Sequence, residues 1–161
     1  MELVATTSAD ESVLQNLLQL YAYDLSESAG LHLGRDGRYE LPPLAPYWTE
    51  PNRSAFLIRA DGQLGGFALI ARGSRISGDP DVWDIAEFFV LKRYRRHGIG
   101  AAAASEIWRR FPGRWEVRVL TTNQPAQRFW QTAINEFTGA AIDPVALEQG
   151  GRQRLVFRFE A

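Results

Sequence analysis

A short basic loop between a hydrophobic run and an alanine-rich stretch constrains this chain more than any other feature. The run Ile85–Leu91 is apolar apart from Glu87 and has the length of a buried strand. Lys-Arg-Tyr-Arg-Arg-His follows at 92–97, and the alanine-rich stretch begins after Gly98. A glycine-bearing turn between a strand and a helix leaves several backbone N–H groups unpaired at the positive end of the helix dipole. The sequence therefore predicts an α/β protein with a phosphate- or pyrophosphate-binding turn at this loop.

Two common nucleotide-binding motifs do not match this loop. A Walker motif would place Lys-Ser/Thr after the last glycine, but Gly100 is followed by Ala101. A dinucleotide fingerprint would place a third glycine at position 103, which is alanine. The motif present between the predicted strand and helix is Arg95-x-x-Gly98-x-Gly100, and a second segment downstream has the form Asn123-x-x-Ala126-x-x-Phe129-Trp130.

These two segments resemble the acetyl-CoA-binding segments of the GNAT superfamily of N-acetyltransferases. The resemblance is specific between residues 82 and 137, and the order of elements agrees with that fold over essentially the whole chain. It implies a single GNAT-like domain over residues 1–161, of the α/β (α+β) class. Its sheet would be mixed, largely antiparallel and six- to seven-stranded, with about four flanking helices. It also implies acetyl-CoA as cosubstrate and direct transfer of the acetyl group to a primary amine of a small molecule or peptide.

Hydrophobic periodicity and turn residues place the elements. A capping box, Ser8-x-x-Glu11, is predicted to open the first helix, which ends near 26–30. Gly65-Gly66 inside a strand predicts a bulge or a close approach by another element. The predicted strands are 3–6, 55–59, 64–70, 82–91, 115–120, 137–142 and 152–159, and the later helices are one short helix within 31–52, then 98–111 and 125–134.

Composition excludes several classes of protein. Eighteen basic against 19 acidic residues give a net charge of −1, so no overall charge favours nucleic acid or a membrane surface. The chain has no cysteine, which excludes disulfides, a thiol nucleophile and thiolate metal ligands. We see no signal peptide and expect a cytoplasmic protein without a metal site.

Glu87 is the best candidate for a catalytic base. An alkyl amine is mostly protonated at neutral pH and must lose a proton before it can attack a thioester. Strand alternation places Glu87 on one face with Ile85 and Phe89. A carboxylate within an apolar strand either borders a cleft or has a structural ion-pair partner. The resemblance makes the catalytic alternative as strong as the structural one, and Asp84 is the second candidate.

The resemblance also implies the residues that bind the cosubstrate. The strand end at Phe89, Val90 and Leu91 would pair with the pantetheine amides, and the Val90 N–H would stabilise the oxyanion. Asn123 would cap the next helix or contact the pantetheine arm. The loop would bind the pyrophosphate with backbone amides and with the charge of Arg95, and its members are Arg95, Arg96, His97, Gly98, Ile99, Gly100 and Ala101. We interpret His97 as an exposed loop residue.

Trp130, which follows Phe129, departs from the family pattern. Many members have a tyrosine here whose hydroxyl protonates the leaving thiolate, and an indole N–H is not a usable acid. Trp130 and Phe129 are expected to contact the cofactor arm, and a nearby phenol (Tyr21, Tyr23, Tyr39 or Tyr47) or water would supply the proton. The departure leaves open the alternative that the protein is a non-catalytic acyl-CoA-binding sensor.

Two further hypotheses concern partners. Nucleic-acid binding by the basic loop is disfavoured, and the final strands could pair across a homodimer.

Overall fold

Seven strands form one sheet in the order β1-β2-β3-β4-β5-β7-β6. The computed structural model describes all residues from Met1 to Ala161. Every neighbouring pair of strands is antiparallel except β4 and β5, which are parallel. This confirms the predicted fold class. The strands are β1 Glu2–Ala5, β2 Arg53–Ala60, β3 Gln63–Arg72, β4 Trp83–Val90, β5 Arg114–Leu120, β6 Val145–Gln149 and β7 Arg152–Glu160.

Four α-helices cover the two faces of the sheet unevenly. They are α1 Glu11–Ala29, α2 Pro46–Thr49, α3 Ile99–Arg110 and α4 Gln124–Thr138. Apolar side chains of α1 and α2 pack on β2, β3 and β4 in one cluster of 11 buried residues. A larger cluster of 19 buried residues joins α3 and α4 to the opposite face, where it reaches β5 and β7. The face of β5 and β7 that points away from α3 and α4 contributes to neither cluster.

The parallel strands β4 and β5 are paired only at their beginnings. The paired positions are Trp83 with Trp115 and Asp84 with Glu116. A shift in the β3–β4 register leaves Ala86 as an extra residue, which is a β-bulge. Bulges bend the strand that carries them, so the second half of β4 diverges from β5 and opens a gap in the sheet.

The bulge corrects one prediction about β4. Strict alternation would place Ile85 on the same face as Glu87 and Phe89. The extra residue at Ala86 reverses the alternation, so Ile85 packs in the α3–α4 cluster while Ala86 and Phe89 pack against α1. Glu87 shares its face with Phe89 but not with Ile85.

The predicted strand 137–142 is wrong, because α4 continues to Thr138 and ends at Gly139. Phe137 packs on Trp108 with ring centroids 4.9 Å apart, and this contact extends the helix by one turn. The backbone of Ile142 is held by side chains instead of a strand neighbour. Its N–H donates to Asn135 Oδ1 (2.9 Å), and its carbonyl accepts from the Gln131 amide (2.7 Å).

The predicted capping box Ser8–Glu11 is also wrong. The Thr7 N–H donates to the Asp10 carboxylate (2.9 Å), which closes a 3₁₀ turn over Ser8–Asp10 before α1 begins at Glu11. The same motif therefore occurs one residue earlier than predicted. The short helix expected within 31–52 is present as α2.

The two edges of the sheet are β1 and β6. On β6, Val145 is exposed. Pairing of the final strands across a homodimer stays a prediction.

None of the helices combines the length and hydropathy that a membrane span requires.

Candidate active site in the gap between β4 and β5

The gap between β4 and β5 opens into a cavity of about 360 Å³. Its walls come from α1, the diverging halves of β4 and β5, the start of α4 and the β6–β7 hairpin. Apolar side chains such as Val119 and Trp130 line part of it, while Glu87, Tyr21 and arginines line the rest. A concave, mostly apolar site with a few polar groups is the usual form of a small-molecule binding site.

Glu87 lies on the cavity wall beside the phenol of Tyr21. Burial raises the pKa of Glu87 above its ordinary value, and the Tyr21 hydroxyl, Arg118 and Arg75 lower it by less than burial raises it. Burial and the neighbouring Glu87 raise the pKa of Tyr21, so the phenol is protonated at neutral pH. A carboxylate with a raised pKa is better matched to accepting a proton near neutral pH.

Asp84, the second candidate base, lies below the cavity in an ion-pair network. Only 2% of its side chain is exposed, and it contacts the guanidinium groups of Arg118 and Arg75, the latter at 3.7 Å. Arg118 also donates to the Ala86 carbonyl (3.4 Å). Two cations therefore neutralise Asp84, and its carboxylate fixes the position of Arg118.

Arg95 holds the basic loop against the end of β4. Its Nε donates to the Val90 carbonyl (2.7 Å) and its Nη2 to Asp24 of α1 (2.6 Å). Its guanidinium also lies 5.4 Å from the Phe89 ring centroid. Lys92 makes a second ion pair with Asp24 at 3.3 Å. Arg95 and Lys92 thus hold the loop in place by binding Val90 and Asp24, whereas Arg93 and Arg96 make no ion pair.

The loop itself has the backbone geometry of an anion site. Arg96 and Gly98 have φ angles of 63° and 75°, in the left-handed region. The Gly98 carbonyl accepts the N–H of Ala102 (2.9 Å), so the N–H groups of Ile99, Gly100 and Ala101 belong to the first turn, where no helical acceptor is available. His97 is exposed. Amides in such a turn point the same way and form a concave anion-binding surface.

Gly100 leaves room for the packing of an aromatic side chain. A Cβ at this position would lie 3.0 Å from the Phe129 ring and 3.6 Å from Val90. The Phe129 ring stacks on Phe88, with centroids 5.8 Å apart. The packing of Phe129 therefore requires a glycine at position 100, whereas Gly98 has open space around it and a positive φ.

The end of β4 presents backbone groups to the gap. The Leu91 N–H donates to the Gly65 carbonyl of β3 (2.8 Å). Since the groups of an antiparallel strand alternate in direction, the Val90 N–H points away from β3 and towards the gap. Phe89 pairs with Phe67 of β3, and its side chain is buried under α1.

Asn123 and Trp130 occupy the α4 side of the cavity. The Asn123 side chain accepts the Ala126 N–H (3.2 Å) and therefore caps α4. Trp130 is buried, with its ring centroid 5.0 Å from that of Phe88 and 4.8 Å from that of Phe129. Both residues therefore form part of the cavity wall.

Sequence reasoning missed the polar groups that come from distant parts of the chain. Arg118, Arg152 and Arg154 line the cavity from β5 and β7. Glu116, buried on β5, accepts from Ser74 and from Arg158 (2.9 Å) and ties the loop 73–82 to the sheet. The alternation in β5 and β7 could have placed these charges on one face, but only the strand order brings the two strands together.

Of the four tyrosines that the sequence offers as proton donors, only Tyr21 lines the cavity. Tyr47 is buried in the α1–α2 cluster, and Tyr23 is 67% exposed. The side-chain amide of Gln19 binds the Tyr39 backbone twice. Its Nε2 donates to the Tyr39 carbonyl and its Oε1 accepts from the Tyr39 N–H, both at 2.9 Å. Trp48 donates to Thr6 (3.1 Å), so the aromatic residues of the 31–52 segment anchor it to the core.

Comparison with known proteins agrees with this geometry. The model of the Acetyltransferase (GNAT) family matches residues 16–133. Uncharacterised N-acetyltransferases of Mycobacterium tuberculosis and Mycobacterium bovis are 40% identical to this chain over 60 residues. That segment is 37% of this chain and 34% of the relatives, so the match spans about a third of their length.

Solved structures share the fold at low sequence identity. An acetyltransferase of Thermus thermophilus superposes with a TM-score of 0.69 at 17% identity, over 99% of this chain and 96% of that protein. An acetyltransferase of Bacillus anthracis in complex with acetyl coenzyme A gives 0.55 at 14% identity, over 81% of this chain and 83% of that protein. The family match covers most of the chain, including the loop and the diverging strands. The chain therefore belongs to the GNAT acetyltransferase family, which confirms the resemblance that its two motifs indicated.

Proposed function

We propose that this chain, as one catalytic domain over 1–161, transfers the acetyl group of acetyl-CoA directly to a primary amine of a small molecule or peptide. The observation that carries the proposal is the position of Glu87. Its carboxylate has a raised pKa and lines the cavity that opens where β4 leaves β5. Strand β4, which carries Glu87, leads directly into the glycine loop. The proposed base and the proposed pyrophosphate site therefore lie on one continuous segment of the chain.

Acetyl-CoA would bind along the end of β4. The loop amides from Arg96 to Ala101 would contact the pyrophosphate, with Arg95 holding the loop in place. The pantetheine arm would enter the gap beside Val90, on the side where Asn123 and Trp130 line the cavity. The Val90 N–H points into this gap and would donate to the oxyanion of the tetrahedral intermediate.

Proton transfer would run through the wall formed by α1 and β4. Glu87 would take the proton of the attacking ammonium, directly or through a water, and leave the amine neutral. The amine nitrogen would bond to the thioester carbon, and collapse of the tetrahedral intermediate would break the C–S bond and release the CoA thiolate. The second proton, which the nitrogen loses as the amide forms, would pass through water to this thiolate. Tyr21 is the phenol that the fold places beside Glu87, and we assign it the role of positioning that carboxylate.

Replacing Tyr21 by phenylalanine tests this assignment through the pH profile. The Tyr21 hydroxyl lowers the pKa of Glu87, so its removal should raise that pKa further. The acidic limb of kcat/KM against pH is therefore expected to move to higher pH. Tyr23→Phe, at an exposed position of the same helix, should leave the limb in place. A profile unchanged by Tyr21→Phe would remove Tyr21 from the mechanism.

Binding of the cosubstrate is tested by thermal unfolding with acetyl-CoA. A ligand present at about 100 times its Kd stabilises a protein by about 2.7 kcal/mol, which shifts Tm by several degrees for a chain of this size. Gly98→Glu should abolish this shift, because it places a carboxylate in the anion site. Gly37→Glu is the matched control: Gly37 also has φ of 75° and open space around it but lies in the 31–45 segment.

NAD and ATP should produce no comparable rise in Tm. If saturating acetyl-CoA leaves the Tm unchanged, the proposed function fails. A rise without turnover of any amine would instead favour the acyl-CoA-binding sensor, which the Trp130 departure also favours.

A further inference from the structure

Four arginines dominate the charge of the cavity. Arg118 comes from β5, Arg152 and Arg154 from β7, and Arg75 from the loop before β4, whereas Glu87 is the single carboxylate among the lining residues. Asp84 lies behind the wall and neutralises part of this charge. The cavity remains net positive even when Glu87 is ionised, although the chain as a whole carries −1.

Two of these arginines have no anionic partner. Arg75 and Arg118 share Asp84, but neither Arg152 nor Arg154 has a carboxylate within ion-pair distance. The Nε of Arg154 is buried and makes no hydrogen bond. Burial, then repulsion by Arg118 and Arg152, lowers the pKa of Arg154. An unpaired donor of this kind costs stability, which is typical of a site built to receive a ligand group.

These arginines lie apart from the pyrophosphate loop. Arg154 is paired opposite Leu120 of β5. Val117 and Val119 pack under α3 and α4, so by alternation Leu120 and Arg154 lie on the other face of the sheet. The loop leads into α3, on the covered face. A phosphate bound by the loop amides would therefore leave Arg152 and Arg154 free.

We propose that the acceptor is a small amine that also carries a carboxylate or phosphate, which Arg152 and Arg154 bind while the amine faces Glu87. This inference rests on the proposed function and narrows its acceptor. Guanidinium groups bind both anions through paired N–H donors, so the shared chemistry is an oxyanion. Amino acids and amino-phosphates are the substrate classes that fit.

Size and charge disfavour the other acceptors. A cavity of about 360 Å³ is at the small end of ligand sites and must also admit the acetyl end of the cosubstrate. Polyamines, aminoglycosides and lysine-rich peptides would bring further positive charge next to unpaired arginines. An oxyanion on the acceptor instead gives the guanidinium groups of Arg152 and Arg154, which line the cavity, the anionic partner that they lack.

Matched amines test the inference through release of the CoA thiol. Glycine is compared with methylamine, β-alanine with ethylamine, and O-phosphoethanolamine with ethanolamine, with putrescine as the cationic member. We expect kcat/KM to be at least tenfold higher for the anionic member of the best pair. Comparison of the two carboxylate pairs with the phosphate pair then identifies which oxyanion the site prefers. Preference for a neutral amine or for putrescine would overturn the inference while leaving the proposed transfer intact.

Arginine variants show where the preference arises. Arg152→Gln/Arg154→Gln should raise the KM of the favoured anionic acceptor at least tenfold and leave the KM of acetyl-CoA unchanged. The variant should fold, because it removes two unpaired cations. Arg35→Gln, an exposed cation of the 31–45 segment, is the matched control. A rise in the KM of acetyl-CoA instead would assign the arginines to the cosubstrate and overturn the inference.

A binding measurement covers the case in which none of these amines is acetylated. Inorganic phosphate is added to protein saturated with CoA, so that the pyrophosphate loop is already filled. Phosphate should raise the Tm of the wild type and of Arg35→Gln more than that of the double variant. An equal response in all three proteins would overturn the inference. Failure of acetyl-CoA itself to stabilise the protein is a separate result, which counts against the proposed function.

Discussion

Glu87→Gln is expected to lower kcat by a factor of about 10² to 10⁴, which is the usual contribution of a positioned general base. Glutamine keeps the size of the side chain and its place on the cavity wall but cannot accept the proton of the ammonium. The KM of acetyl-CoA should change little, because the pyrophosphate loop and the end of β4 are untouched. A raised reaction pH should restore part of the activity, since more of the amine is then neutral before it binds.

The same substitution should leave thermal stability unchanged or raise it. Because burial raises the pKa of Glu87, the folded state favours the protonated carboxyl, and the stability linked to this group is lost as pH rises through the raised pKa. Glutamine resembles the protonated form, so its advantage over the wild type should be present at pH 7. The advantage should disappear as pH falls below about 4.3, the ordinary value for glutamate.

Steady-state kinetics and thermal unfolding from pH 4 to 8 measure both effects. Glu136→Gln, an exposed residue of α4, is the matched control and should change neither activity nor stability. A loss of stability at pH 7 together with retained activity would show that Glu87 is a structural ion-pair residue. The catalytic role would then be rejected.

Contiguous motifs explain what could be predicted from the sequence. The glycine loop, Glu87 and Asn123 lie within one run of the chain, and each has a local reason for its place: a turn, a polar residue in an apolar strand, and a helix cap. The order of strands and helices followed from periodicity in the same way. None of these features depends on which distant segment packs against them.

The errors and omissions have tertiary causes. The bulge at Ala86 arises from pairing with β3, and it moves Ile85 to the opposite face without any local sign such as glycine. The end of α4 is extended by contact of Phe137 with Trp108. The arginine pair of the cavity becomes visible only when β7 is placed beside β5. Periodicity describes one element at a time and cannot supply such contacts.

Gly66→Ala is expected to cause a large loss of stability. A Cβ at this position would lie 2.0 Å from the Phe89 carbonyl oxygen and 3.0 Å from the Val90 Cα. Both contacts are with backbone, so no side-chain rotation can relieve them, and β3 and β4 would have to separate at the strand end that leads into the basic loop. We expect a loss of about 3 kcal/mol or more in the free energy of unfolding, at the upper end of overpacking effects, together with weaker binding of acetyl-CoA.

Gly65→Ala separates this clash from the general effect of adding a methyl group to β3. Its Cβ would lie 3.3 Å from the Ile58 carbonyl oxygen, a tight contact that a small shift relieves. Denaturant unfolding of both variants should therefore give a much larger loss for Gly66→Ala than for its neighbour, and acetyl-CoA should stabilise Gly65→Ala as it stabilises the wild type. Equal losses in the two variants would show that the close approach of β3 and β4 is not what requires glycine. A selective loss in Gly66→Ala would show that this glycine sets the position of Phe89 and Val90, on which the proposed acetyl-CoA site depends.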